Sequence, residues 1–159
     1  MENLVGQRIE NLPESVTTQL WNGALRDELG LKSEDLQIAL GVANMKNKAG
    51  NSLTALRMYM ALVLCEPSNF HCLQGLANCT LKNGLYEAAL EASSAMIVLK
   101  PKNPFGYYFS GSACLAMGHF AEAREDMADA LKFADADEHH ALSGECRRLL
   151  QQLDVRKSA

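Results

Sequence analysis

"GLYEAAL", residues 84–90, is closed off by a proline at 101, and the chain spells out the same order of residue types elsewhere. Gly84, Ala89 and Pro101 have counterparts in Gly50, Ala55 and Pro67, and Gly118 with Ala123 opens a third copy. The step is 34 residues each time, 84 − 50 and 118 − 84, with no insertion between copies. A fixed period of roughly 20–50 residues marks a stacked-repeat architecture, in which each unit buries its apolar face only against its neighbours.

Residues 36–49, 70–83 and 104–117 lead into the three glycines, and each stretch is long enough for nearly four helical turns. Residues 52–65, 86–99 and 120–133 follow the glycines and carry apolar side chains at helical spacing, for example Tyr86, Ala89, Leu90, Met96 and Val98. The sequence therefore predicts an A helix, a glycine turn and a B helix in each unit. Pro67 and Pro101 stop the first two B helices, because proline lacks a backbone donor and disfavours helical geometry in the residue before it. The third unit has Asp135 in place of the closing proline. Small residues recur where paired helices must approach: Ala43, Ala77 and Gly111 on the A helices, Ala55, Ala89 and Ala123 on the B helices.

Two amphipathic stretches flank the repeats. Leu142, Cys146, Leu149, Leu150 and Leu153 form one stripe between 138 and 153, with Glu145, Arg147, Arg148, Gln151 and Gln152 on the polar side. This reads as a helix sealing the last repeat, as solenoid ends require. Ahead of the repeats, residues 15–29 place Val16, Leu20, Trp21 and Leu25 on one apolar face, begun by Pro13-Glu14-Ser15 and ended by Gly30. That face is expected either to pack under the first repeat or to join two copies of the chain in a homodimer, since large aromatics dominate interface energetics. The expected layout is one domain over 1–159: an N-terminal helical segment over 1–35, three repeats over 36–137, and a capping helix with a short tail over 138–159.

Composition narrows the function. A net charge of −4 with interleaved signs disfavours nucleic-acid phosphates and anionic membranes. No run approaches the roughly 20 apolar residues of a membrane span, and the first residues lack the pattern of a secretion signal, so a cytoplasmic location is expected. Cys65, Cys72, Cys79, Cys114 and Cys146 form no CxxC pair and read as small apolar side chains, with no metal and no cofactor. Cys114 with His119 and Cys72 with His71 could be read as nucleophile and base, but no third residue orients either pair, so no catalytic residue is assigned.

The repeat resembles the tetratricopeptide motif, and the fold expected is all-α: three tandem tetratricopeptide-like helix-turn-helix repeats in a right-handed superhelix, with an N-terminal helix and a C-terminal capping helix. In that register the packing positions are Ala39, Val42, Ala43 and Lys46 in the first unit, Leu73, Leu76, Ala77 and Thr80 in the second, and Tyr107, Ser110, Gly111 and Cys114 in the third. Side chains one position off this stripe point into the concave groove that the A helices line. They are Gln37, Leu40, Asn44 and Asn47; His71, Gln74, Asn78 and Leu81; and Phe105, Tyr108, Ser112 and Leu115. Amides alternating with apolar groups suit an extended peptide, whose backbone needs hydrogen-bond partners and whose side chains need apolar dips. The carboxylate clamp of chaperone-binding tetratricopeptide domains is excluded. Asn44 and Asn78 match its asparagines, but Leu40, Phe105 and Phe109 stand where its cations would be.

The stretches 61–90 and 103–131 are similar to the class II chaperones of bacterial type III secretion, through Leu76-Ala77-x-Cys79, Gly84-x-Tyr86 and Ala113-Cys114-Leu115 followed by Gly118 and Ala123. The resemblance covers about residues 31–135. It implies an ATP-independent cytoplasmic chaperone of a Gram-negative bacterium that holds an extended segment of a secreted translocator or effector in its groove. Aromatic residues usual along the family's first A helix are replaced here by Leu40, Asn44 and Asn47, which implies a less apolar first pocket. A chaperone for a needle subunit built on similar repeats fits the same resemblance, and a general tetratricopeptide scaffold is the main alternative, because the repeat specifies architecture and not function.

Overall fold

The computed structural model describes residues 24–157, and eight α-helices run through them: α1 (Ala24–Glu28), α2 (Ser33–Lys48), α3 (Ser52–Cys65), α4 (Phe70–Lys82), α5 (Tyr86–Leu99), α6 (Pro104–Met117), α7 (Phe120–Ala136) and α8 (His140–Lys157). The pairs α2–α3, α4–α5 and α6–α7 are the three repeats, with α8 packed on α7. The turn glycines Gly50, Gly84 and Gly118 have φ of 83°, 74° and 82°, the left-handed region in which a Cβ is penalised.

Local chemistry sets the helix starts. The Asn69 side chain accepts from the backbone N–H groups of His71 and Cys72 at 3.1 and 3.2 Å, and Asn103 accepts from Phe105 at 3.1 Å with Pro104 in the first helical position. Both satisfy donors that a helix N-terminus leaves unpaired. The first repeat begins three residues ahead of the expected 36 because the Asp35 carboxylate accepts from the Lys32 N–H at 2.9 Å, which lets α2 start at Ser33. The third B helix also overruns its expected end at 133. Without a proline α7 continues to Ala136, and Asp135 holds Arg147 of α8 at 2.8 Å.

The six small positions lie where helices touch. Ala43, Ala55, Ala77, Ala89 and Ala123 are wholly buried, and a Cβ on Gly111 would come within 3.1 Å of Met127 Cε and 3.2 Å of the Ala123 carbonyl oxygen. Around them sit Tyr59, Met96 and Met127, also fully buried; burying a side chain of this size stabilises by about 1.5–3 kcal/mol. All five cysteines are buried free thiols inside this core.

In the first unit the structure departs from the repeat register. Val42 and Lys46, expected to pack, are exposed, and Val42 lies on an outward stripe of α2 with Ile38 and Met45. The positions that bury are Leu36 and Ala43, which meet Leu56, Tyr59 and Leu62 of α3, while Leu40 is partly buried against the same cluster. Val16, Leu20 and Trp21 lie outside the described residues; Leu25 packs with Leu31 against this same cluster. No helix among the described residues is long and apolar enough to cross a membrane.

Candidate functional site

Successive A helices touch one another, α2 against α4 and α4 against α6, which brings their remaining free faces onto one side of the stack. The positions assigned to the groove show graded burial. Leu40, Asn47, Gln74, Asn78, Leu81, Phe105, Tyr108, Ser112 and Leu115 are half-buried, while Asn44 and His71 are exposed, as is Gln37. A half-buried row is what a binding face needs: anchored from behind, open in front.

The face changes chemistry along its length. At the α2 end it is polar. The Tyr59 hydroxyl, whose ring is fully buried, donates to Asn44 Oδ1 at 2.6 Å, and Lys82 Nζ reaches across from α4 to Asn47 Oδ1 at 3.0 Å. Both asparagines thereby use their carbonyl oxygens inside the protein, and Asn44 keeps its amide N–H groups to give. Burial, with Cys79 nearby, pushes the Tyr59 hydroxyl above its ordinary pKa, so at neutral pH it stays protonated and donates. In the middle of the face, the Gln74 and Asn78 side chains have no hydrogen-bond partner among the described residues, so both amides are free to bond a ligand.

At the α6 end the face is aromatic. Phe105 stacks on Phe109 with ring centroids 6.4 Å apart and meets the His139 ring edge-on at 5.6 Å, while Tyr108 contacts Phe109 edge-on at 5.5 Å. Burial raises the Tyr108 pKa, with the Glu145 carboxylate adding to it. One assigned residue contributes less than its type suggested: the Ser112 hydroxyl donates to the Tyr108 carbonyl oxygen of its own helix at 2.7 Å, so that donor is spent.

Reading the sequence as repeats missed two groups of residues. Tyr59 is on a B helix and points through the repeat to the A face, which a face-by-face reading of α3 does not register. Arg148, Gln151, Gln152, Leu153 and Val155 of α8 enclose, together with Leu115, a cleft of about 710 Å³. Leu153 belonged to the expected sealing stripe, while the polar spacing of Arg148, Gln151 and Gln152 had marked them as solvent surface. No cluster of metal-ligating side chains occurs among the described residues.

No protein-family model matches the chain. Among solved structures it is similar to PcrH in complex with the chaperone binding region of PopD, at 24% identity and a TM-score of 0.76 over 80% of this chain and 97% of that one. It is likewise similar to the Yersinia enterocolitica type III secretion chaperone SycD in complex with a peptide of the translocator YopD, at 23% identity and a TM-score of 0.74, covering 79% of this chain and 97% of the other. The first tetratricopeptide domain of Spaghetti (RPAP3), bound to an HSP90 peptide, matches at 16% identity and a TM-score of 0.72 over 80% of this chain and 97% of that domain. The fold is therefore an all-α, tetratricopeptide-like repeat.

Proposed function

We propose that the protein is a cytoplasmic chaperone of a bacterial type III secretion system, and that it holds an extended segment of a secreted translocator along the inner faces of α2, α4 and α6. The observation that carries this reading is the inner face itself: free amides at Gln74 and Asn78 beside half-buried apolar walls at Leu81, Phe105, Tyr108 and Leu115. Such a surface bonds a peptide backbone and shields its side chains without needing a charged ligand. The likeness to PcrH, solved with the chaperone binding region of PopD, and to SycD, solved with a peptide of the translocator YopD, supports the client class. RPAP3 shares the fold, but its HSP90 peptide ends in acidic residues, and Leu40, Phe105 and Phe109 here offer no cation to them.

Holding a client's apolar segments away from water is equilibrium binding, so the role is non-enzymatic. Val16, Leu20 and Trp21 are proposed to join two copies, whereas Leu25 packs under the first repeat. Co-purification from the cells that make the protein, followed by mass spectrometry, tests the reading. A single secreted protein with apolar helical segments is expected; a mixed set of cytosolic enzymes or receptors would point to a general scaffold.

A further inference from the structure

The cleft between α6 and α8 has a built interior that a mere end-cap does not need. Its floor is Leu115 from the inner face of α6 and Leu153 of α8, and Val155 stands open at its edge with 71% of its surface exposed. Gln151 and Gln152 line it with no hydrogen-bond partner among the described residues. Arg148 also lines it, but its guanidinium is already forked onto the Glu145 carboxylate of its own helix. With that charge compensated, the cleft gives an anion little; it offers apolar contact below and neutral amides above.

The cleft is also continuous with the aromatic end of the inner face. Leu115 belongs to both, and Tyr108 lies close enough to Glu145 and Arg148 to feel their charges. Tyr108, Leu115, Leu142 and Leu150 pack on one cluster with Cys146 and Leu149, so α8 extends the surface of α6. A chain lying along α6 that continues in the same direction meets α8 next.

We propose that α8 is part of the client site: the extended client runs past Tyr108 and seats an apolar side chain in the cleft, with Gln151 and Gln152 bonding its backbone. The proposal rests on the groove reading and adds a second anchor to it.

The test uses a fluorescein-labelled 16-residue peptide selected from a random phage-displayed library on the intact protein, so that the wild type binds the probe by construction. Anisotropy titrations are run with Val155→Glu, Tyr108→Ala and, as an outer-face control, Val98→Glu, which is 79% exposed on α5. Both Glu variants replace exposed side chains and should leave the helical circular dichroism unchanged. A carboxylate at the cleft edge, desolvated by the bound peptide, should weaken binding about tenfold in Val155→Glu. Tyr108→Ala should weaken it as well, and Val98→Glu should not. Of two truncations, one from each end of the peptide, one should abolish the Val155→Glu effect and keep the Tyr108→Ala effect. Wild-type affinity in Val155→Glu with loss in Tyr108→Ala would overturn the cleft and leave the groove standing. Loss in Val155→Glu alone would remove the groove reading and the continuity on which the cleft depends. Unchanged affinity with a shift in sedimentation for Val155→Glu would assign the cleft to a second copy of the chain and overturn the proposal.

Discussion

The Tyr59 ring lies flat against the α4 backbone at Gly75: a Cβ on Gly75 would sit 2.1 Å from Tyr59 Cε1. Tyr59 is fully buried and cannot swing aside, so the first and second repeats are joined through a position where only glycine fits. Gly75→Ala should therefore destabilise by about 1–3 kcal/mol, the usual range for overpacking a core. Gly41, inside α2 with nothing within 4 Å of its would-be Cβ, predicts the reverse. Gly41→Ala should stabilise by roughly 0.5–1 kcal/mol through helix propensity alone. Urea melts of both variants check the pair, and the opposite signs are the diagnostic.

Tyr59 has a second role, reached through its hydroxyl. Its hydrogen bond to Asn44 Oδ1 at 2.6 Å fixes which end of that amide faces the groove. Tyr59→Phe keeps the ring and deletes the bond, so stability should fall by only about 1 kcal/mol. Client affinity should fall several-fold because Asn44 is free to turn. Asn44→Ala should lose the same affinity, and the double variant should lose no more than either alone.

The cysteines give the protein a predictable alkaline limit. Burial pushes the Cys72 thiol up to about 12 and Cys146 to about 11, and it raises Cys65, Cys79 and Cys114 too. A thiol whose pKa is raised by folding favours the native state while it is neutral. That stability is intact below about pH 8.5, where the unfolded thiol also keeps its proton, and is lost as pH rises toward 11–12. Thermal melts from pH 7 to 11 should show the decline, and Cys72→Ala should flatten it. At pH 8 a thiol reagent such as Ellman's should label none of the five in the native protein and all five in urea.

The 34-residue step made the repeats legible, because glycine turns and small contact residues are demanded by backbone geometry and so recur at fixed offsets. The α3, α5 and α6 boundaries expected from that step are those of the structure. What escaped was governed by long-range neighbours. Val42 and Lys46 matched the repeat by position, yet the burial of α2 is decided by Leu36 and Ala43 meeting Leu56, Tyr59 and Leu62. The Asn69 and Asn103 caps were readable from their place just before helices and went unused. The cleft was not readable, since Gln151 and Gln152 carry the spacing of an ordinary solvated face and acquire a role only when α8 lies beside Leu115. Along the inner face, the amides and rings were legible as types; that Ser112 spends its hydroxyl on Tyr108 was not.

The most direct measurement is calorimetric titration of the co-purified client's bound segment into wild type, Tyr108→Ala and Asn78→Ala, with circular dichroism confirming that all three are folded. Tyr108 is a half-buried aromatic wall, so Tyr108→Ala should cost about 2 kcal/mol or more of binding free energy. Asn78→Ala removes a neutral hydrogen bond and should cost roughly 0.5–1.5 kcal/mol. Affinity equal to wild type in both variants would contradict the account, because the client would then lie away from the inner faces of α2, α4 and α6.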